Sequence, residues 1–308
     1  MRIIISGGSG LIGSELAKEL HINGHELIIL SRNPGRITNP PNGMQVVSWD
    51  GKTSQGWGHL VEGTEVIINL AGENIAGEKF FPARWTIERK KSILKSRLDS
   101  GKAMIEAIRT AGSKPGLLVQ SSAIGYYGPL NDEIVDENWP AGGDFLAKTC
   151  QAWEDSTAEV ESLGVRRVTI RTGVVLSIEG GAFARLLLPF KLFAGGPLGS
   201  GKQYLSWIHM ADQVGAIRFL IENPVAQGVY NLTAPQPVTN AVLARTIGQV
   251  MGRPSFIPVP AFVFRMLFGE VATVVVDGQR VLPNRLQQLG YSFQFKQIEE
   301  AVCNLLGK

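Results

Sequence analysis

Residues 2–13 read Arg2-Ile3-Ile4-Ile5-Ser6-Gly7-Gly8-Ser9-Gly10-Leu11-Ile12-Gly13, and they carry the strongest indication of the fold. The first five residues form the apolar run of a buried strand, and residues 11–23 have the apolar spacing of a helix. The glycines between them fit the spacing Gly-x-Gly-x-x-Gly. In this pattern the first glycine permits a tight turn, the second lets backbone N–H groups approach a pyrophosphate, and the third lets the helix pack on the strand. The strand, turn and helix together predict a dinucleotide site.

Short apolar runs alternate with helix-length segments through the first half of the sequence. This alternation predicts an α/β fold, a Rossmann doubly wound parallel sheet. The predicted strands are residues 2–6, 26–30, 45–48, 66–69, 117–120 and 168–171. The predicted helices are residues 11–23, about 85–111 and about 145–163.

After about residue 175 the sequence becomes rich in glycine and proline, which indicates loops and a change of architecture. Residues 228–232 form one further apolar run that we expect to return to the main sheet. We therefore predict a Rossmann domain over residues 1–175, joined by residues 206–235. Residues 176–205 and 236–308 are expected to form a smaller C-terminal α+β substrate lobe.

Composition excludes several classes of protein. The 308 residues contain 30 Lys plus Arg and 27 Asp plus Glu, so the net charge of +3 indicates neither a nucleic-acid nor a membrane-surface partner. Cys150 and Cys303 have no disulfide or metal-site spacing, and we expect no metal. The start of the sequence lacks signal-peptide features, and no stretch reaches the roughly 18 apolar residues of a membrane span. We expect a soluble, cytoplasmic protein, with a homodimer as the candidate assembly.

The end of the second predicted strand bears on the choice of dinucleotide. An NAD site usually has a carboxylate there, which would repel the 2′-phosphate of NADP. This sequence has Ser31 and Arg32 instead, and a guanidinium binds phosphate well. The pattern predicts NADP(H) over NAD(H), with a solvated loop cation as the alternative for Arg32.

The motifs together resemble the extended short-chain dehydrogenases/reductases of the NAD-dependent epimerase-like type. The resemblance is strongest to the atypical "epimerase family" proteins, whose bacterial members are sometimes labelled cell-division inhibitors. It extends over essentially the whole chain. The matching segments are residues 69–75 (NLAGENI), 84–85 (RW), 96–97 (SR), 122–128 (SAIGYYG), 153–154 (WE), 171–176 (RTGVVL), 195–201 (GGPLGSG), 206–209 (SWIH) and 231–235 (NLTAP).

The glycine-rich turn and the resemblance together imply a set of cofactor contacts. Leu70 and Ala71 are expected to line the crevice, Arg97 to bring a second cation, and Val175 to face the nicotinamide. Asp50 is expected to touch the adenine. The full set of expected contacts is Gly7, Ser9, Gly10, Leu11, Ile12, Gly13, Ser31, Arg32, Asp50, Leu70, Ala71, Gly72, Arg97 and Val175.

Relatives that transfer hydride generally use a Ser, a Tyr and a Lys. Ser122 lies where the catalytic serine of this superfamily is expected, but the usual Tyr-x-x-x-Lys is missing, since counting back from Lys148 leads to Asp144. Lys148 is still a candidate for the ribose. A phenol from Tyr127 or Tyr126 is one replacement, and packing over the pocket is the alternative for both rings.

The loop at residues 195–201 is expected to face the nicotinamide, with Gly196, Lys202, Gln203 and Trp207 as candidate walls of a substrate pocket. These features favour an NADP(H)-binding oxidoreductase or epimerase-like enzyme acting on an unknown small molecule. The alternative is a catalytically weak or inactive NADP(H)-binding regulatory protein that acts through a partner, for example in cell division. The missing Tyr-x-x-x-Lys supports the alternative.

Overall fold

A parallel sheet of seven strands forms the centre of the computed structural model, which describes residues 1–37, 40–77 and 81–308. The strands, numbered along the chain, are β1 (Arg2–Ser6), β2 (Glu26–Ser31), β3 (Met44–Ser48), β4 (Val66–Asn69), β5 (Leu117–Ala123), β6 (Ile134–Val135), β7 (Arg166–Thr172), β8 (Val174–Leu176), β9 (Tyr204–Leu205), β10 (Trp207–His209), β11 (Gly228–Leu232), β12 (Val238–Thr239) and β13 (Arg280–Val281). The central sheet has the order β11-β7-β5-β4-β1-β2-β3. The predicted doubly wound parallel sheet is confirmed.

Helices cover both faces of this sheet. In chain order they are α1 (Leu11–Ile22), α2 (Ile87–Thr110), α3 (Phe145–Asp155), α4 (Gly181–Lys191), α5 (Met210–Glu222), α6 (Asn240–Met251), α7 (Ala261–Phe268), α8 (Thr273–Val276), α9 (Asn284–Gln288) and α10 (Ile298–Leu306). Short 3₁₀ turns lie at Pro34–Arg36, Gly58–Val61, Ile124–Tyr127, Ala158–Glu161 and Gly269–Ala272. Among the helices in the described ranges, none is long and apolar enough to cross a membrane.

The core divides along the two faces of the sheet because successive strand residues point to opposite sides. Ile3 and Ile5 of β1 belong to the cluster that includes residues of α1 and α5, whereas Ile4 belongs to the cluster on the α2 side. All three are fully buried. Continuous apolar strands of this kind are typical of parallel sheets covered on both faces.

The predicted helix over residues 145–163 is shorter in the structure. α3 ends at Asp155, where the hydroxyls of Ser156 and Thr157 donate to the carbonyls of Trp153 and Glu154. A 3₁₀ turn then leads into β7. Hydroxyl side chains that bond to the backbone compete with helical hydrogen bonds, which accounts for the early end.

The C-terminal part has its own apolar cluster, built by α4, α6, α10 and β10. The short strands outside the central sheet form three two-stranded pairings: β10 with β8, β12 with β9, and β13 with β6. β11 pairs in parallel with β7 at the edge of the central sheet. The division into a Rossmann domain and a substrate lobe at the stated residues stays a prediction.

Candidate functional site

The glycine-rich turn after β1 lies tightly against its neighbours. Gly7 has a φ of 71°, and a Cβ there would lie 2.9 Å from the Leu70 carbonyl. A Cβ on Gly13 would lie 2.3 Å from the Gly7 carbonyl oxygen. Gly10 is the N-cap of α1 and offers no side chain to it, and the first helical turn carries no acidic residue. The turn therefore leaves a helix N-terminus open to an anion, and it fits a pyrophosphate.

A cavity that we call the dinucleotide cleft runs along the carboxyl ends of β1, β2, β3 and β4. Open α/β sheets bind ligands at this edge. The sequence-predicted residues that line it are Gly7, Ser9, Gly10, Ser31, Arg32, Asp50, Leu70, Ala71 and Gly72. Leu11 and Gly13 do not line it, because Leu11 lies beside Gly181 and Gly13 beside the Gly7 carbonyl.

Two cations, Arg32 and Lys52, line the dinucleotide cleft at the end of β2. The carboxylate of Asp50 is engaged by its own turn, since Oδ1 accepts from the N–H groups of Lys52 (2.8 Å) and Thr53 (2.9 Å) and Oδ2 accepts from the Thr53 hydroxyl (2.9 Å). Burial, the largest single influence, raises the pKa of Asp50, but the hydrogen bonds from Lys52 and Thr53 together outweigh it, so the pKa is lowered. Asp50 therefore shapes the loop that carries Lys52.

A second cavity, the substrate cleft, continues from the first and shares Leu70, Gly72 and Glu73 with it. Ile12 and Arg97 line it. Arg97 is 9% exposed.

Arg97 is held by backbone and by an aromatic ring. Its Nη1 donates to the carbonyls of Glu73 (3.1 Å) and Ile93 (2.9 Å), and its guanidinium lies 4.6 Å from the Trp153 ring centroid. Burial lowers the pKa of Arg97, while Cys150 and Glu73 oppose that shift. An arginine remains protonated in proteins, so this position brings a fixed positive charge to the substrate cleft.

Ser122 does not line the substrate cleft, which corrects the expectation that it faces the substrate. Its Oγ donates to Glu154 Oε1 at 2.6 Å, and the residue is 2% exposed. Ser121 and Ala123 line the cleft instead. β5 extends three residues beyond the predicted strand, and the alternation of side chains along it turns Ser122 away.

The two tyrosines are also placed away from the cleft. Tyr127 is buried; its hydroxyl donates to Asn231 Oδ1 at 2.7 Å and accepts from Arg171 Nη1 at 3.1 Å. Burial raises the pKa of Tyr127 to about 12. The Arg171 guanidinium lies over the Tyr126 ring, with its Cζ 3.3 Å from the ring centroid. The structure supports the packing alternative for both rings.

Lys148, the candidate for the ribose, is exposed and lines neither cleft. The N-cap Asp144, which accepts from the Ala147 N–H at 2.8 Å, fixes the phase of α3. With that phase, Leu146 and Cys150 line the substrate cleft, four residues apart as in Tyr-x-x-x-Lys. Burial raises the pKa of the Cys150 thiol to about 11, so it is neutral at physiological pH.

The expected substrate walls lie elsewhere. Trp207 is fully buried and donates from Nε1 to the Gln236 carbonyl. Gln203 donates from Nε2 to the carbonyls of Leu198 and Val275, which makes it a loop support. Lys202 is exposed outside both clefts.

Val174, and not Val175, lines the substrate cleft, since Val175 packs against the sheet core. Gly196 lines a third cavity beside the cleft. Sequence reasoning missed Lys52, Ser121, Leu146 and Cys150. Lys52 could have been found, because it lies two residues after the predicted contact Asp50. Nothing in the sequence indicated that the side chains of the other three face the substrate cleft.

Within the part of the chain that the structure describes, no group of three or more His, Cys, Asp or Glu side chains is arranged to hold a metal ion. The glycine-rich turn and both clefts define a dinucleotide-binding Rossmann protein. The sequence pattern of the NAD dependent epimerase/dehydratase family matches residues 3–233, and a domain of unknown function (DUF1731) matches residues 259–305. The chain belongs to the NAD dependent epimerase/dehydratase family.

Several relatives match along nearly the whole chain. The chain is 38% identical to the Arabidopsis thaliana "Epimerase family protein SDR39U1 homolog, chloroplastic", covering 98% of this chain and 86% of that one. It is 37% identical to the Mus musculus "Epimerase family protein SDR39U1", over 99% of this chain and 100% of the mouse protein. The crystal structure of human epimerase family protein SDR39U1 (isoform2) with NADPH has a TM-score of 0.88 to this chain at 34% identity. The match covers 100% of this chain and 99% of the human one.

Proposed function

We propose that this protein is an NADP(H)-dependent oxidoreductase or epimerase-like enzyme acting on the carbonyl or hydroxyl group of a small molecule. The observation that carries the proposal is the pair of cations, Arg32 and Lys52, in the dinucleotide cleft beside Ser31. The carboxylate at that end, Asp50, is engaged by its own loop. The NADPH in the human relative supports the same choice.

The chain's own groups divide the binding between them. The N-terminus of α1 would hold the pyrophosphate, and Arg32 and Lys52 would hold the 2′-phosphate. When bound, the nicotinamide supplies or accepts hydride. In the substrate cleft, the Arg97 guanidinium would stabilise negative charge on the substrate oxygen, and the Ser121 hydroxyl would donate to it. Charges act strongly there because the Arg97 side chain is shielded from water.

The test is a fluorescence titration of the protein with NADPH and with NADH. NADPH is expected to bind more tightly. Arg32→Ala and Lys52→Ala should each weaken NADPH binding about tenfold or more, because each removes a charge-assisted hydrogen bond worth about 1.5–3 kcal/mol, and leave NADH binding unchanged. The exposed Lys114→Ala, at the opposite edge of the sheet, is the matched control. Equal or tighter binding of NADH would contradict the proposal.

One observation favours the second candidate, a regulatory NADP(H)-binding protein with little or no catalysis. The α3 residues that line the cleft are Leu146, Thr149, a neutral Cys150 and Trp153, and none of them supplies a phenol or an ammonium group. NADPH oxidation in the presence of aldehydes, ketones and nucleotide sugars separates the two candidates. If the rate of NADPH oxidation rises with a substrate and falls in Arg97→Met, the protein is an enzyme. If no compound of a broad panel raises the rate, the regulatory candidate is supported.

A further inference from the structure

A third cavity, which we call the apolar cavity, lies beside the substrate cleft between α4, α6 and α7. Its walls are almost entirely hydrocarbon, and they include Leu186, Phe190, Leu243, Ile247, Phe264 and Val271. The cofactor and the reacting groups discussed above do not account for this space.

The apolar cavity adjoins the substrate cleft. Ile75 and Val274 line both. A molecule whose reactive group lies beside Arg97 can therefore extend past these two side chains into the apolar cavity.

Polar groups in the apolar cavity are few and engaged. Asn240 Oδ1 accepts from the Leu198 N–H at 2.7 Å. Arg185 is the one charged side chain among the described lining residues, and its Nη2 lies 3.4 Å from the Gly77 carbonyl. A nucleotide sugar presents a diphosphate and several hydroxyls, whose burial is costly without matching partners. The apolar cavity offers such a molecule too few partners.

The rim of the apolar cavity is apolar as well. Leu188 lines it and is 36% exposed, and Phe81 lines it and is 69% exposed. Exposed apolar side chains that line a cavity are typical of a site that takes an apolar ligand.

We infer that the substrate carries a hydrocarbon chain or ring system that occupies the apolar cavity, while its carbonyl or hydroxyl group lies in the substrate cleft beside Arg97. This inference rests on the proposed function and names its substrate class. Burial of the hydrocarbon would supply the binding energy, and the cleft would position the reacting carbon.

The test measures binding by calorimetry, with straight-chain methyl ketones from butan-2-one to decan-2-one added to the protein saturated with NADP⁺. Each added methylene is expected to tighten binding about fourfold until the cavity is filled. Ala182→Phe, which places a ring in the apolar cavity, should abolish this rise. Ala184→Phe, on the same helix but outside the cavity lining, is the matched control. Thermal unfolding and NADP⁺ affinity verify that both variants fold.

Affinity that does not change with chain length would overturn the inference, as would Ala182→Phe binding like the unaltered protein. UDP-glucose binding more tightly than decan-2-one would overturn it too. Failure to bind NADP⁺ would count against the proposed function, and the ketone series in the cofactor-free protein would still test the apolar cavity.

Discussion

Glu154 and Arg171 form a buried two-point ion pair, with Nε 2.9 Å from Oε1 and Nη2 2.9 Å from Oε2. Ser122 donates to the same carboxylate, and Tyr127 accepts from the same guanidinium. Burial lowers the pKa of Arg171, but the hydrogen bonds and charge of Glu154 outweigh it and raise the pKa. The pair thus joins α3, β5 and β7, and it engages Ser122 and Tyr127, which the sequence suggested were catalytic.

Glu154→Gln should lower the free energy of unfolding by about 3–5 kcal/mol, because it leaves the Arg171 charge buried without a partner. Urea denaturation measures the change. Glu161→Gln is the control, since the Arg167–Glu161 pair is exposed on the Glu161 side (56%) and such a pair contributes about 1 kcal/mol or less. A similar loss in both variants would contradict the structural role of Glu154.

Ser121→Ala and Ser122→Ala should have different effects. Removing the Ser121 hydroxyl should lower kcat/KM about tenfold or more with little change in stability, because it removes a donor at the reacting oxygen. Removing the Ser122 hydroxyl should cost about 1–3 kcal/mol of stability, because it leaves a buried oxygen of Glu154 with one donor fewer. Turnover assays and urea denaturation on both variants check this. A larger loss of turnover in Ser122→Ala, at unchanged stability, would restore Ser122 as the substrate contact.

His209 predicts a specific dependence of stability on pH. Its Nδ1 accepts from the Ala211 N–H at 3.1 Å at the start of α5, and burial lowers the pKa of His209 to about 4. Between about pH 6.5 and pH 4 the unfolded chain binds a proton that the folded protein excludes, so acidification removes stability at up to about 1.4 kcal/mol per pH unit.

His209→Asn keeps an acceptor at the N-cap but has no proton to bind. This variant should show a shallower loss of stability than the unaltered protein between pH 6.5 and pH 4, measured by urea denaturation. His59→Asn, which replaces an exposed histidine, should leave the slope unchanged. Identical slopes for His209→Asn and the unaltered protein would refute the assignment.

The fold and the lining of the dinucleotide cleft could be predicted from sequence because they depend on local patterns. Residues 2–13 encode a strand, a turn that tolerates only glycine at close approaches, and a helix start. Arg32 follows its strand directly, so the end of the strand fixes its place. Nine of the expected contacts therefore line the dinucleotide cleft.

The residues that line the substrate cleft could not be predicted in the same way, because a shift of one residue along a strand or helix changes which side chain faces the cleft. Ser121 and Ser122 are the same residue type. Because β5 continues through both, the alternation of side chains along the strand decides which of them faces the cleft. On α3 the residue that faces the cleft is Cys150, two positions after the predicted Lys148. Tyr127 is buried by contact with Asn231, 104 residues away, which no local pattern encodes.

The buried network around Glu154 affects how mutational screens of this protein should be interpreted. Its members are the polar residues that a screen for lost activity would select first, and we predict that they act through the rigidity of the scaffold. Variants of Ser122 or Tyr127 should therefore be rescued by cooling or by stabilising osmolytes. A residue that contacts the reacting atoms should stay defective at every temperature, so assays at two temperatures would separate scaffold from chemistry.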